Sequence, residues 1–115
     1  MSEYILILHK YPADFARFTQ EQIKEIMGEF AMWRTKLIGE GKFVGGMKLM
    51  ENGFKELSGD GQKVSINDHL GGETLISGLF TIRADGYDEA VRIASTCPPI
   101  KFGARIEVRE TEQTP

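Results

Sequence analysis

The chain is predicted to fold as an α+β domain, and three observations carry that prediction. Short apolar runs of strand length alternate with two longer stretches in which apolar residues recur every three or four positions. Glycine, proline or Asn-Gly stands at almost every junction between them. The 115 residues, 41% of them hydrophobic, suffice for one domain with its own core.

Residues 3–9 read as the first strand. Tyr4, Leu6 and Leu8 share one face and Ile5 and Ile7 the other, so this strand needs cover on both sides. Residues 10–18, with Pro12, form the following loop. Thr19 then opens a helix. Thr19-Gln20-Glu21-Gln22 has the spacing of a capping box, and Phe18 and Ile23 occupy the positions of a hydrophobic staple. Ile23, Ile26, Met27, Phe30, Trp33, Leu37 and Ile38 make one apolar stripe, which Gly39 and Gly41 end. Residues 43–50 read as a strand interrupted by Gly45-Gly46, the mark of a bulge or of a closely approached backbone. Asn52-Gly53 is a turn signal, and residues 54–57 and 63–66 are short strands joined by Ser58-Gly59-Asp60-Gly61. Residues 75–83 are the third main strand. Asp85, as N-cap, and Gly86 turn the chain into a second helix with Tyr87, Ala90, Val91, Ala94 and Cys97 on one face. Pro98-Pro99 stops it. In the last strand, residues 103–109, Ala104, Ile106 and Val108 alternate with Arg105, Glu107 and Arg109, giving one apolar and one charged face.

This order is the ferredoxin-like βαββαβ arrangement with an extra hairpin, an antiparallel sheet carrying two helices on one face. Two helices cover only that face. The two-sided first strand asks for a second cover, and the simplest is another copy of the same sheet, so a sheet-to-sheet homodimer is expected. The longest uninterrupted apolar run, residues 4–8, is far short of a membrane span. Met1-Ser2-Glu3 lacks the basic lead of a signal peptide, and a cytoplasmic protein is expected. Cys97 is the single cysteine, which rules out an internal disulfide and an all-cysteine zinc site. The net charge is −3 and acids and bases are interleaved, with no basic tract for nucleic acid.

With these elements in this order, the chain resembles the YCII-related family, also called the DGPF domain. ISGLFTI (76–82) is similar to the family's Gly-Gly strand, DGYDEAVRIASTCP (85–98) to its Asp-x-x-Glu-Ala helix ending in Cys-Pro, and GARIEVRE (103–110) to its final Ile-Glu-Val-Arg strand. YILILHK (4–10) and EGKFVGGMKL (40–49) fit its opening strand and the strand after its first helix. The resemblance covers essentially the whole chain and implies a dimeric α+β barrel. It also implies relatives that include a dehydrochlorinase acting on a hydroxylated aromatic and proteins encoded beside, or fused to, transcription initiation factors. Two departures stand out. The family's Asp-Gly-Pro-Phe-Ala-Glu-Thr-Lys loop is matched here only by Asp68, Glu73 and Thr74. Where the better studied branch carries an acid–base histidine on the first helix, this chain has Phe30.

Candidate chemistry gathers in SINDHLGGETLISG, residues 65–78. Asp68 beside His69 can orient an imidazole as general base; the plainer reading is a solvated turn in which Asp68 bonds its own backbone. His9 ends the first strand on the Ile5 and Ile7 side, and a His9–Asp68 pair would stand in for the missing helix histidine; otherwise His9 is a partly buried histidine bonded to backbone. At about 100° per residue Arg34 falls on the apolar stripe between Ile23 and Met27. It therefore wants Asp68, Glu73 or an anionic ligand as partner, or else snorkels to water. Glu73 and Thr74 are carried by the loop resemblance, and a role within the loop is the alternative. Trp33 and Phe30 are either walls of an aromatic cleft or plain core. Cys97 reads as a buried small hydrophobe. The scattered histidines and carboxylates match no metal motif, and Gly45-Gly46 and Gly71-Gly72 lack phosphate-loop spacing, so no metal or cofactor is expected.

Two functions follow as expectations. The first is a protein binding a small aromatic or anionic molecule in a cleft between sheet and loop, with acid–base chemistry of the isomerase or lyase kind. His9 or His69 would be the base, Asp68 its orienter, and Arg34, Glu73 and Trp33 the substrate contacts. The second is a non-enzymatic dimeric module that regulates or binds a partner, linked to transcription.

Overall fold

Residues 1–11, 16–50, 54–59, 61, 63–67 and 75–112 are described by a computed structural model. Among them the elements run β1 (Ser2–Lys10), α1 (Gln20–Gly39), β2 (Phe43–Lys48), β3 (Phe54–Ser58), β4 (Lys63–Asn67), β5 (Leu75–Ala84), α2 (Tyr87–Ser95), a 3-10 helix (Pro98–Phe102) and β6 (Arg105–Glu110). Four strands form one sheet in the order β2-β5-β1-β6, and each neighbouring pair is antiparallel. β3 and β4 pair with each other in a sheet of their own. The chain is thus α+β, as its pattern predicts.

Strand alternation sorts the residues between two faces. Tyr4, Leu6 and Leu8 of β1 and Phe80, Ile82 and Ala84 of β5 form a core with Trp33 and Leu37 of α1 and Ala90, Ile93 and Ala94 of α2. Both helices therefore cover the same face. On the open face Ile5 and Ile7 stay half-buried beside Leu79 and Thr81.

Local signals set the ends of α1. Thr19 Oγ1 accepts from the Gln22 N–H at 3.1 Å, and Gln22 Oε1 accepts from the Thr19 N–H at 2.8 Å, which closes the capping box. At the other end Gly41 takes φ 71°, its N–H bonds the Ile38 carbonyl at 3.0 Å and the Lys42 N–H bonds Leu37 at 2.9 Å. That pair of bonds is a Schellman motif, which needs the left-handed residue that glycine supplies.

The second helix departs from its expected start, face and end. Its N-cap is Gly86, not Asp85, and no side chain caps it. Gly86 has φ 154°, a conformation that disfavours any side chain, so the backbone turn claims this position and places the aspartate one residue outside. The Asp85 N–H is instead met by Glu89 Oε1 at 3.4 Å. Ala90, Ile93 and Ala94 form the buried face, while Tyr87 and Val91 are about half exposed. The helix ends at Ser95, because Pro98 and Pro99 start the 3-10 helix two residues beyond the Thr96 C-cap. Cys97 between them is buried, and burial pushes its thiol up to about 12, which keeps it protonated and unreactive. No helix among the described residues is long and apolar enough to cross a membrane.

Candidate binding site between helix and sheet

The apolar stripe of α1 is only partly used as core. Ile26, Trp33 and Leu37 are buried, whereas Ile23 and Met27 are 40% and 56% exposed. The N-terminal half of the helix stands off the sheet, and a cavity of about 740 Å³ lies between them. That volume is in the range of small-molecule sites. Ile26 and Phe30 form its helix side; Leu8, Phe43, Leu75 and Phe80 form its sheet side.

Phe80 is the centre of the wall. Its ring centroid lies 5.1 Å from that of Phe30 and 6.4 Å from that of Phe43. Two glycines bed the ring. A Cβ built on Gly46 would sit 2.5 Å from Phe80 Cδ1, and one built on Gly78 would sit 3.0 Å from Phe80 Cζ. A side chain at either position would push the ring toward α1, into the space the cavity occupies. Gly45-Gly46 thus does both things its sequence signals: β2 shifts register between Phe43 and Gly45, and Gly46 lies under a close neighbour. A second register shift lies between Leu8 and His9, opposite Ser77. The fully buried Ser77 hydroxyl donates to the Leu8 carbonyl there at 3.5 Å, at the long limit of a hydrogen bond.

Charge is distributed unevenly around this space. Lys10, Arg34 and Lys48 line it, and no carboxylate or imidazole does so among the described residues. Arg34 stands one turn beyond Phe30 with its side chain exposed. No described carboxylate pairs with it.

The other candidate residues lie elsewhere. Trp33 is buried beside the cavity wall rather than in it, and its Nε1–H donates to Thr96 Oγ1 at 3.0 Å, tying α1 to the end of α2. His9 points to the opposite face of the sheet, since its strand neighbour Leu8 faces the helices. There His9 Nε2 meets Glu107 Oε1 at 2.9 Å, and Arg109 Nε meets the other Glu107 oxygen at 2.6 Å. The hydrogen bond from His9, with the Arg109 guanidinium adding to it, holds the Glu107 carboxyl below its ordinary value. A single cavity joining His9 with Arg34 is therefore not formed, because the sheet stands between them. Asp68, His69 and Glu73, and with them a His9–Asp68 pair and a cleft beneath their loop, lie outside the described residues.

Glu107 as partner of His9 was not apparent from spacing, as the two are 98 positions apart. The usable signal is the charged alternation of Arg105, Glu107 and Arg109 together with a topology that sets β6 beside β1. Ile7 pairs with Glu107, which puts His9 on its diagonal. Phe43 and Phe80 were likewise missed as cavity walls, and the signal there is a phenylalanine on each strand two residues from a glycine. Among the described residues no three His, Cys, Asp or Glu side chains gather as a metal site. Compared with known proteins, the chain matches no family model and no curated sequence.

Proposed function

We propose that this chain is a ferredoxin-like domain that binds a small, largely aromatic molecule between α1 and the sheet. The observation that carries the reading is the stand-off of α1. Ile23 and Met27, 40% and 56% exposed, border about 740 Å³ of space instead of being buried against the sheet, and Phe30, whose ring reaches Phe80, lines the same space. Apolar surface left uncovered in this way forgoes roughly 25 cal/mol per Å², which a ligand of matching shape recovers. Two further features support the reading. The sheet order β2-β5-β1-β6 agrees with the ferredoxin-like arrangement. Phe30, where the YCII-like resemblance expects a histidine, lines the cavity and favours binding over acid–base chemistry at that wall. The test is calorimetric titration with 2-naphthol, a neutral aromatic probe, against the wild type and Ala31→Trp. Ala31 lies on the cavity lining at an exposed helix position, so a bulky side chain there fills the space without entering the core. Binding by the wild type and its loss in the variant, at unchanged Tm, is the expected result. Equal binding by both, or none by the wild type, removes the reading.

The open face of the sheet supports a homodimer. Ile5, Ile7 and Leu79 are only half-buried there and Ile76 is 43% exposed, an apolar strip flanked by Arg105, Glu107 and Arg109. Light scattering at micromolar concentration should read twice the chain mass of 12.9 kDa. Ile7→Glu should halve that reading, since it sets a charge in the middle of the strip. A wild type that scatters as a monomer rejects the dimer.

A further inference from the structure

The cavity is aromatic in its depth and cationic at its mouth. Phe30, Phe43 and Phe80 present tilted rings, with interplanar angles of 46° between Phe30 and Phe80 and 40° between Phe43 and Phe80. Such rings leave faces and edges for a further aromatic group at offset or edge-on geometry. Arg34 from α1 and Lys48 from the end of β2 both line the cavity and both are exposed. Neither pairs with a carboxylate among the described residues. This is a chain with 17 acidic and 14 basic side chains, yet the described lining of its cavity carries bases alone.

We infer that the ligand is an aromatic carboxylate, held with its ring among Phe30, Phe43 and Phe80 and its carboxylate at the mouth, between Arg34 and Lys48. The inference rests on the cavity proposed above and adds the ligand's charge and its orientation. The guanidinium of Arg34 offers a planar fork that fits a carboxylate with two parallel bonds, and Lys48 adds a point charge from the opposite wall. A neutral molecule can accept a hydrogen bond from these cations but lacks the ion-pair attraction that a carboxylate adds. A cation would be repelled at the only polar edge the described lining presents. Because the mouth faces solvent, the preference for an anion falls as salt rises, while the contribution of the rings does not.

Calorimetry with three probes of one shape separates these statements: 2-naphthoate, its neutral amide 2-naphthamide, and the cation 2-naphthylmethylammonium. At low ionic strength the wild type should bind 2-naphthoate about tenfold or more tightly than 2-naphthamide, the range of a hydrogen bond to a charged group. The ammonium should bind most weakly. Arg34→Gln and Lys48→Gln should each weaken 2-naphthoate more than 2-naphthamide and so narrow the gap between their Kd values. Added salt should narrow the same gap in the wild type. If the amide binds as tightly as the carboxylate, the cavity stands and the inferred anion falls. If octanoate binds as tightly as 2-naphthoate, the aromatic part falls. If none of the naphthalene probes binds, the cavity reading fails and this inference fails with it.

Discussion

Trp33→Ala is expected to destabilise the fold by about 3–5 kcal/mol, the cost of truncating a buried tryptophan to a methyl group. For a domain of this size that is a fall in Tm on the order of 15 °C. Trp33 is 8% exposed, and its ring centroid lies 5.5 Å from that of Phe30 and 6.4 Å from that of Phe43. It is also a polar link. Its Nε1–H donates to Thr96 Oγ1, and the Thr96 hydroxyl donates onward to the Ile93 carbonyl at 2.7 Å. With Ile26 and Leu37, it is one of the buried anchors of a helix whose remaining apolar residues are partly or wholly exposed. Trp33→Phe keeps most of the packing and removes the donor, so it should cost less, about 1 kcal/mol beyond the lost ring area. A double-mutant cycle with Thr96→Val isolates that bond. Because Trp33 is the single tryptophan, the variants are read by circular dichroism in urea. A cost below about 1 kcal/mol for the alanine variant would show that α1 is not docked through this residue.

The second large effect is expected at Gly46. A Cβ there would lie 2.5 Å from Phe80 Cδ1, 2.8 Å from the Leu79 carbonyl oxygen and 3.2 Å from Phe80 Cα. The ring can swing, but the other two atoms are backbone of the neighbouring strand, so β2 must move away from β5. Gly46→Ala should therefore cost about 2–3 kcal/mol, the upper part of the range for overpacking. Gly45→Ala is the control. Nothing lies within 4 Å of a Cβ at that position, and its effect should stay within about 0.5 kcal/mol. Phe80→Leu in the Gly46→Ala background should recover part of the loss and not all of it. Equal unfolding midpoints for the two glycine variants would mean that the close approach at Gly46 does not constrain the sheet.

Much of this architecture is legible in the sequence where the responsible chemistry is local. Thr19 and Gln22 are three residues apart, and the bonds they exchange need nothing beyond that turn. Gly45-Gly46 announces a strand that is irregular and closely approached, and it is both. Ala104, Ile106 and Val108 announce the core-facing side of the last strand by alternating with charged residues. Local rules fail where two of them compete for one position. At the start of α2 a good capping residue and a glycine stand side by side. The positive φ of the turn selects Gly86, since backbone strain in a side-chain-bearing residue outweighs one capping bond.

The candidate site was less legible for a different reason. The stripe from Ile23 to Ile38 reads as uniform core because periodicity reports which face is apolar, not what that face meets. Trp33 and Leu37 meet the rest of the core, Ile26 and Met27 line a cavity, and Phe30 does both, lining the cavity and packing against Phe80. Arg34 is conspicuous in the stripe, yet its setting follows from the stand-off of α1. His9 and Glu107 show the same limit, because strand register decides their pairing and no short-range spacing records it. By itself, then, the sequence determined the order of the elements, the ends of α1 and the apolar face of the last strand, since capping, turn chemistry and periodicity act within a few residues. Only the tertiary structure decided that His9 is held by Glu107 and lies across the sheet from Arg34. It alone decided, too, that Phe80 over Gly46 and Gly78 floors a cavity, because register and helix stand-off are set by contacts between residues far apart in the chain.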